Sequence, residues 1–191
     1  MTRIPAVLPE SATGKTKTLL DAVQKKLGRV PNLMRTLANA PAALEGYLNL
    51  SGALATGQLD AKVREQIALT VAEANLCDYC LSAHTAIGGM VGLTPDDIGK
   101  ARQASASNPK TQAILKLARS IVVNRGELPD TDLAAARAAG IGDGEIVETT
   151  VNVALNILTN YVNHVAATVV DFPAVAKASA GTCATGSCAT H

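Results

Sequence analysis

Residues 60–91 decide the fold, and they read DAKVREQIALTVAEANLCDYCLSAHTAIGGMV. Asp60 is a good N-cap for a helix, because its carboxylate accepts hydrogen bonds from the first unpaired backbone N–H groups. The apolar residues after it recur at helical spacing: Val63, Ile67, Val71 and Ala74. A break at Asn75–Leu76 leads into a second helix that runs from Cys77 to about Val91. The stretch therefore predicts a helical hairpin.

The rest of the chain continues this helical pattern. Proline and glycine separate segments with helical features at about Ala12–Leu27, Pro31–Asn39, Pro41–Thr56, from Thr94 onward, and at about Pro109–Asn124, Asp130–Ala139 and Asp143–Val170. Hydrophobic residues make up 48% of the chain but aromatic residues only 2%, so Ala, Leu and Val must fill the core, which suits close-packed helices. We expect one all-α domain over residues 1–175, followed by a flexible cysteine-containing tail over residues 176–191.

The charge pattern argues against two classes of partner. The chain has 17 basic and 16 acidic residues, a net charge of +1 and no basic stripe, so we expect neither nucleic acid nor a membrane surface as a partner. The N-terminus lacks the apolar stretch of a signal peptide, and no run approaches the length of a membrane span. We therefore expect a cytoplasmic protein, in which four cysteines favour catalytic or metal-binding use over structural disulfides.

The chemically active residue types are concentrated around a CxxC pair, Cys77 and Cys80. His84 follows the second cysteine by four residues, and Glu65 lies one helix upstream. In the predicted hairpin, Glu65 lies about 13 Å and His84 about 10 Å from the connection between the two helices. The two residues are therefore at the same height along the hairpin, to within one turn of helix. A relay from Glu65 through His84 to Cys80 is therefore geometrically allowed. The carboxylate would orient the imidazole and raise its basicity, and the imidazole would take the thiol proton.

The position of the cysteines in their helix favours the same chemistry. Both fall in its predicted first turn, where unpaired N–H groups and the helix dipole stabilise a thiolate. A thiolate can attack a peroxide oxygen, become a sulfenic acid and be resolved to a disulfide by the neighbouring thiol. Two alternatives stay open: a structural zinc site formed by Cys77, Cys80 and His84 with a fourth ligand from Glu65 or the tail, and inert buried thiols.

The second half of the chain resembles a degenerate copy of the first. A shift of 80 residues gives six identities over the 25 positions from Lys62 to Ala86, and it places Glu65 on Glu145 and His84 on His164. The cysteines are not repeated, because they fall on Ile157 and Asn160. This pattern predicts helical-hairpin repeats near residues 60–91 and 140–170. Glu145 and His164 are either a second functional pair or structural residues.

The motif resembles that of the carboxymuconolactone decarboxylase and AhpD-like superfamily. The family pattern is a Glu, eleven intervening residues, CxxC, three residues and a His, and Glu65, Cys77, Cys80 and His84 match it. The segments NYVNHVA at 160–166 and DFP at 171–173 look like the peroxidase-related branch of the superfamily. A histidine often stands between the two cysteines of the family, where this chain has Tyr79, so an assisting role at that position is open.

The resemblance implies an all-helical fold and thiol-dependent reduction of hydroperoxides, without a metal or other cofactor. It also implies assembly into trimers, hexamers or similar homo-oligomers. Cys80 would be the peroxide-reactive thiol, assisted by His84 and Glu65. Cys77 would be the resolving thiol, which exchanges with a thiol or dithiol reductant. Two other functions stay open: a disulfide reductase or redox adaptor that acts on a partner protein, and a ring-lactone decarboxylase or other non-redox member.

Two further groups of residues carry weaker patterns. In the tail, Cys183 and Cys188 would shuttle electrons to the CxxC pair, bind a soft metal together with His191, or be incidental. Tyr47, Leu50 and Met90 are candidates for a small apolar access channel, and core packing explains them equally well.

Overall fold

The computed structural model describes residues 2–175, and every regular element among them is helical. A short 3-10 turn at Pro9–Ser11 precedes the α-helices. These are α1 (Gly14–Leu27), α2 (Asn32–Leu37), α3 (Pro41–Leu54), α4 (Ala61–Ala74), α5 (Asp78–Met90), α6 (Pro95–Arg102), α7 (Pro109–Val123), α8 (Asp130–Ala138) and α9 (Asp143–Ala166). The all-α class is confirmed. The predicted tail, residues 176–191, lies outside the described residues.

Helix starts follow the capping residues in the sequence. The Asp60 carboxylate accepts a 2.8 Å hydrogen bond from the backbone N–H of Val63 at the start of α4. At α6, Thr94 and Asp97 form a capping box in which each side chain bonds the backbone of the other residue. Satisfying these N–H groups, which have no partner within the helix, fixes where each helix begins.

Helix α4 is the centre of the fold. Seven consecutive residues in it, 66–72, are buried, and a helix that is buried all round must be enclosed by other elements. It packs against α5, α6, α7 and α9. One apolar cluster lies between α4 and helices α6–α9, around Leu69 and Leu115. A second lies between α1, α2, α3 and α5, around Leu20 and Leu44, and it includes both cysteines of the CxxC pair.

Helix α9 differs from the sequence-based expectation in two ways. It ends at Ala166 and not at Val170, because Ala167 adopts a left-handed conformation with φ 49° and the Thr168 N–H turns back to the Asn163 carbonyl at 3.2 Å. Residues 140–170 also contain one continuous helix and no second hairpin. The sequence at 155–157, which aligns with the turn at 75–77, is Leu-Asn-Ile and continues the helix.

Within residues 2–175, none of the helices is both long and apolar enough to cross a membrane.

Candidate active site

The turn between α4 and α5 places the two cysteines. Leu76 has a left-handed backbone, with φ 53°. In this conformation the Cys77 N–H donates a hydrogen bond to the Ala72 carbonyl at 2.9 Å, and the Leu76 N–H donates one to the Glu73 carbonyl at 3.1 Å. These two hydrogen bonds form a Schellman motif. Cys77 is consequently the N-cap residue of α5, and Cys80 lies in its first turn. The dipole at this helix start favours negative charge on the sulfur atoms.

Both thiols are buried, and helix α9 covers them. The Asn163 side-chain amide donates a hydrogen bond to the Cys80 Sγ at 3.2 Å. The Cys77 Sγ lies 4.0 Å from the Asn160 carbonyl oxygen. A second amide, Nδ2 of Asn160, is buried without a hydrogen-bond partner among the described residues. Since an unpaired buried N–H group is costly, this amide is an available donor beside the thiols.

The cysteines titrate as an interacting pair. The pKa of Cys77 is lowered to about 7, first because the Cys80 thiol donates a hydrogen bond to its thiolate. Burial opposes the shift, while the Cys80 backbone N–H and the charges of His164 and His84 favour it. The pKa of Cys80 is raised, because its hydrogen bond to Cys77, its burial and the charge of the Cys77 thiolate all favour the protonated form. The pair therefore loses one proton near neutral pH and retains the other.

Glu65 and His84 form a contact between α4 and α5. The His84 Nδ1 lies 2.7 Å from the Glu65 Oε2, and both side chains are largely buried. An ionised carboxylate only accepts, so Nδ1 carries the donated proton. Burial lowers the pKa of His84 most strongly, but the charge of Glu65, its hydrogen bond and the charge of Cys77 together outweigh burial, and the net shift is upward. His84 is thus a base strengthened by its carboxylate neighbour.

A cavity of about 400 Å³ opens beside these residues. Cys80, His84 and Glu65 line it, whereas Cys77 is not among its lining residues. Most of its wall is apolar and comes from α1, α2, α3, α5 and α9, with the side chains of Val23, Leu27, Leu33, Met34, Leu48, Leu54, Ile87 and Leu155. A molecule in this cavity would therefore meet an apolar surface and a few polar groups around one thiol.

Tyr47 is one of the polar groups in that wall. Burial raises its pKa to about 12, and the charges of Glu65 and Cys80 act in the same direction. Its hydroxyl is consequently protonated at neutral pH and available as a donor. Of the other proposed channel residues, Leu50 and Met90 do not line the cavity, and Met90 is 85% exposed on the surface.

Tyr79 anchors the C-terminal segment against the site. Its hydroxyl accepts a hydrogen bond from the Leu33 N–H at 3.0 Å and donates one to the Asp171 Oδ1 at 2.8 Å. Its ring meets the ring of Phe172 edge to face, with centroids 5.8 Å apart. The Arg29 guanidinium lies over the Phe172 ring and pairs with Asp171. Tyr79 and Phe172 both line the cavity, so the position between the two cysteines shapes the cavity wall.

Glu145 and His164 do not form a second pair. Glu145 caps the start of α9 through the Gly142 N–H and forms a 2.8 Å ion pair with Lys110. His164 lies about 28 Å farther along the helix axis, where its Nε2 is 2.9 Å from the Asn75 carbonyl oxygen. Its charge acts on Cys77, so it is adjacent to the site whereas Glu145 is remote.

The remaining candidates concern metals and the tail. Residues 2–175 contain no group of three or more His, Cys, Asp and Glu side chains placed to hold a metal ion. Cys183, Cys188 and His191 lie outside the described residues. Asn160, Asn163 and Asp171 were not predicted individually as site residues, although they lie in the segments at 160–166 and 171–173 that carry the family resemblance.

The segment that carries the thiol motif matches a known protein family. Residues 41–119 match the family model named Carboxymuconolactone decarboxylase family, and this match supports the superfamily that the motif predicted. The matched segment contains Glu65, both cysteines and His84. No curated protein matches the chain in sequence.

Solved structures share the fold over most of the chain. One is an alkylhydroperoxidase AhpD core, an uncharacterized peroxidase-related protein from Ralstonia eutropha JMP134, with 24% identity, a TM-score of 0.80 and coverage of 89% of this chain and 92% of that chain. Another is an uncharacterized peroxidase-related protein from Silicibacter sp. TM1040, with 23% identity, a TM-score of 0.77 and coverage of 88% and 91%.

A third similar structure has a different activity in its name. It is a cysteine-to-alanine variant of the debrominase Bmp8 in complex with 2,3,4-tribromopyrrole, with 15% identity, a TM-score of 0.76 and coverage of 90% of this chain and 92% of that chain. The names attached to this fold thus include both peroxidase-related proteins and a debrominase.

Proposed function

We propose that this protein is a thiol-dependent peroxidase that reduces hydroperoxides with the Cys77–Cys80 pair. The proposal rests on one arrangement of groups. A buried thiol pair, in which the pKa of Cys77 is lowered, lies beside an apolar cavity. The hydrogen-bonded Glu65 and His84 side chains line the same cavity. The thiols supply two electrons, the histidine handles protons, and the cavity receives an organic hydroperoxide. This chemistry requires no metal or organic cofactor.

The first step takes place at Cys80, because this thiol lines the cavity. The Cys80 S–H donates to the Cys77 thiolate, and transfer of that proton along the hydrogen bond generates the Cys80 thiolate. Its sulfur attacks the terminal peroxide oxygen, and the O–O bond breaks. Cys80 becomes a sulfenic acid, and the alkoxide leaving group receives a proton from the His84 imidazolium and departs as an alcohol.

The second step closes the disulfide. The Cys77 thiol loses its proton, and its sulfur attacks the sulfenic sulfur of Cys80, which forms the S–S bond and expels hydroxide. The hydroxide takes up that proton and leaves as water. Overall, two thiols and one hydroperoxide give one disulfide, one alcohol and one water. A thiol or dithiol reductant must then regenerate the pair by exchange.

Asn163 has a defined part in the proposed reaction. Its amide N–H points at the Cys80 sulfur, and hydrogen bonds to a charged acceptor are roughly twice as strong as neutral ones. The donor therefore stabilises the thiolate more than the thiol. Asn160 supplies a second amide that favours the ionised form of Cys80.

Disulfide exchange with a partner protein is a second candidate. It is favoured by Cys77, whose pKa is lowered to about 7 with the charge of His164 among the causes, and which is not among the residues that line the cavity. In that case a partner disulfide and not a hydroperoxide would oxidise the pair. The two candidates differ in which oxidant reacts faster with the reduced protein.

The apolar cavity beside Cys80 and the fold shared with debrominase Bmp8 support a third candidate, reductive dehalogenation. Two thiols and an aryl bromide would give the reduced arene, a disulfide, bromide and a proton. Bromide release from 2,3,4-tribromopyrrole by the reduced protein is the direct assay, with the Cys77→Ser/Cys80→Ser variant as the control.

A thiol map tests the proposed function. Reduced protein with Cys183→Ser and Cys188→Ser, which removes the tail thiols, is mixed with one equivalent of an alkyl hydroperoxide, alkylated at intervals and analysed by mass spectrometry. We expect a Cys77–Cys80 disulfide and one alcohol per chain. In Cys77→Ser we expect a trapped Cys80 sulfenic acid. Thiols that stay reduced with hydroperoxide yet oxidise with a disulfide would replace this proposal by the second candidate.

A further inference from the structure

The cavity of the candidate active site has basic side chains in its mostly apolar wall. Among the described residues that line it, two are basic, Lys26 on α1 and Arg64 on α4, and one is acidic, Glu65. The Glu65 carboxylate is already paired with the His84 imidazole, at 2.7 Å. The lining therefore has a net charge of +1 when His84 is neutral. A cavity with these properties suits an apolar molecule that carries one anionic group.

Arg64 retains hydrogen-bond donors that no protein group uses. A guanidinium has five N–H donors, and among residues 2–175 the one hydrogen bond of Arg64 runs from its Nη1 to the Leu59 carbonyl oxygen. The side chain is half-buried and forms no ion pair with a carboxylate of those residues. Arg102, which is also half-buried, instead pairs with Glu73 at 2.6 Å. A partly desolvated guanidinium without an anionic partner is suited to bind a carboxylate through two parallel hydrogen bonds.

Lys26 lies on the side of α1 that faces the cavity. Ala22 and Val23, one helical turn before it, and Leu27, directly after it, line the same cavity, as expected for neighbours on one helix face. Lys25 is not among the lining residues. Lys26 is exposed, and within residues 2–175 its ammonium group has no ion pair. It therefore places a positive charge where the cavity opens to solvent.

The volume of the cavity limits the size of its ligand. A water molecule occupies about 30 Å³ in the liquid, so a cavity of about 400 Å³ has room for roughly 13 groups of the size of water or CH₂. A phospholipid with two acyl chains is several times too large. A single ring or a short chain that carries one carboxylate fits.

We propose that Arg64 and Lys26 form a carboxylate-binding site in this cavity. The proposal rests on the proposed peroxidase function, and it makes the substrate a hydroperoxide of a small apolar carboxylic acid. Arg64 directly precedes Glu65 in α4, and consecutive Cα atoms are about 3.8 Å apart. A carboxylate bound there is consequently within one small molecule's length of the Glu65–His84 pair, with the apolar body of the substrate against the wall and the O–O bond at Cys80.

The two basic side chains also offset a repulsion. The thiol pair carries one negative charge once it has lost its first proton, and this charge repels an anionic substrate. A cationic anchor at Arg64 and Lys26 compensates for that repulsion. The reaction at Cys80 is the one already described, and its products are the corresponding hydroxy acid and water.

A matched pair of hydroperoxides tests the proposal. One is cumene hydroperoxide, which is neutral, and the other is its para-carboxylate, which carries one negative charge. Each is mixed at low ionic strength with full-length reduced Cys183→Ser/Cys188→Ser protein, and quenching by alkylation gives the rate of thiol oxidation. The quantity compared is the ratio of the acid rate to the neutral rate, in which changes common to both substrates cancel. We expect a ratio of about ten in this parent protein.

Variants of the two basic residues assign the ratio to the site. Arg64→Gln should lower it about tenfold, and Lys26→Gln about threefold, because an exposed charge contributes less. Arg64→Lys should restore part of the ratio, since it keeps the charge and loses the paired hydrogen bonds. Lys25→Gln is the matched control. It removes an equal charge one residue away from a side chain that does not line the cavity, and it should keep the parent ratio.

Several results would overturn the proposal. These are equal rates for the two hydroperoxides in the parent protein, a ratio that survives Arg64→Gln, and a ratio that Lys25→Gln lowers as much as Lys26→Gln does. An Arg64 side chain that only supports the Leu59 carbonyl would give the second result, because its loss would slow both substrates alike.

Failure of the peroxidase function has a separate signature. If neither hydroperoxide oxidises the thiols, the proposed function fails, and calorimetric titration with the unreactive products, cumyl alcohol and its para-carboxylate, decides the carboxylate site. Tighter binding of the carboxylate that is lost in Arg64→Gln would support the site without a peroxidase. Equal binding of the two alcohols would overturn it.

Discussion

The side-chain amide of Asn163 donates to the sulfur of Cys80 at 3.2 Å, across 83 positions of sequence. Both residues are buried, and this contact joins α9 to the first turn of α5. A hydrogen bond to a charged acceptor in such a site contributes about 1.5–3 kcal/mol. The amide therefore belongs among the groups that set how readily the thiol pair ionises.

Removal of this amide should weaken thiolate formation. In the Cys77→Ser/Cys183→Ser/Cys188→Ser background, Asn163→Ala should raise the pKa of the Cys80 thiol by about one to two units, because it removes a donor to that sulfur and about 1.4 kcal/mol corresponds to one unit. The pH dependence of alkylation with iodoacetamide measures it. Asn152→Ala is the matched control, since Asn152 is a buried residue of α9 whose amide bonds the Glu148 carbonyl. An unchanged profile in Asn163→Ala would remove this amide from the mechanism.

The shared proton of the cysteine pair gives a second prediction. In the Cys183→Ser/Cys188→Ser background, ultraviolet thiolate absorbance should show one ionisation with a midpoint near pH 7 and a second at much higher pH. Cys80→Ser should move the midpoint of Cys77 upward, because a hydroxyl replaces the thiol that donates to the Cys77 thiolate. Two independent ionisations near the ordinary thiol pKa would contradict the coupling.

The lowered pKa of Cys77 also has a consequence for stability. Its folded pKa of about 7 lies below the ordinary value of 9.0, so this group contributes stability that is present above pH 9 and is lost as the pH falls through 7. The free energy of unfolding of the reduced protein should therefore rise between pH 7 and 9 relative to that of Cys77→Ser. Urea unfolding at several pH values measures the difference, and a difference that does not vary with pH would be evidence against the shift.

The Glu65–His84 contact predicts the opposite pH dependence. The pKa of His84 is raised above 6.5, so the contact contributes stability that is fully present below pH 6.5 and is lost as the pH rises through the folded pKa. Glu65→Gln should lower the pKa of His84, as measured by NMR titration of the imidazole. The variant should also be more destabilised at about pH 6 than at about pH 9. Glu127→Gln, an exposed substitution, should change neither measurement.

Tyr79→Phe should destabilise the fold by about 1–3 kcal/mol. The change removes the hydroxyl that accepts from the Leu33 N–H and donates to Asp171, which leaves a buried N–H without its partner. The midpoint of urea unfolding measures the loss. Tyr161→Phe is the control, because Tyr161 is 58% exposed and its change should fall within about 0.5 kcal/mol. Equal effects of the two substitutions would show that the Tyr79 hydroxyl carries no special stability.

The local features of the site were predictable from sequence. Asp60 and the apolar spacing after it indicated α4. Glu65 and His84 lie at similar distances from the turn between α4 and α5, and this indicated that the two side chains are close together. These inferences succeed because capping and helical period act over a few residues. The left-handed backbone at Leu76 was harder to predict from the sequence, because a leucine does not indicate this conformation in the way that a glycine does.

The distant contacts were not predictable in the same way. The Asn and Thr residues of α9 have the spacing of a helix surface, so their pattern alone indicates a solvated face. Only the packing of α9 over the thiols shows that Asn163 is buried against Cys80. The contact between Tyr79 and Asp171 spans 92 positions, and its partners carry no motif that would pair them. The hairpin predicted for residues 140–170 was wrong, since identities at a few aligned positions do not specify a turn.

The order of residues in this chain also has a consequence for its synthesis. The residues of the thiol motif come early in the sequence, at Glu65, Cys77, Cys80 and His84. Asn163, and Phe172 in the cavity wall, come much later. Because a chain emerges from the ribosome N-terminus first, the reactive thiols are made well before the helix and ring that cover them. A nascent chain therefore carries an uncovered cysteine pair, and the site is complete only after residue 172 has emerged.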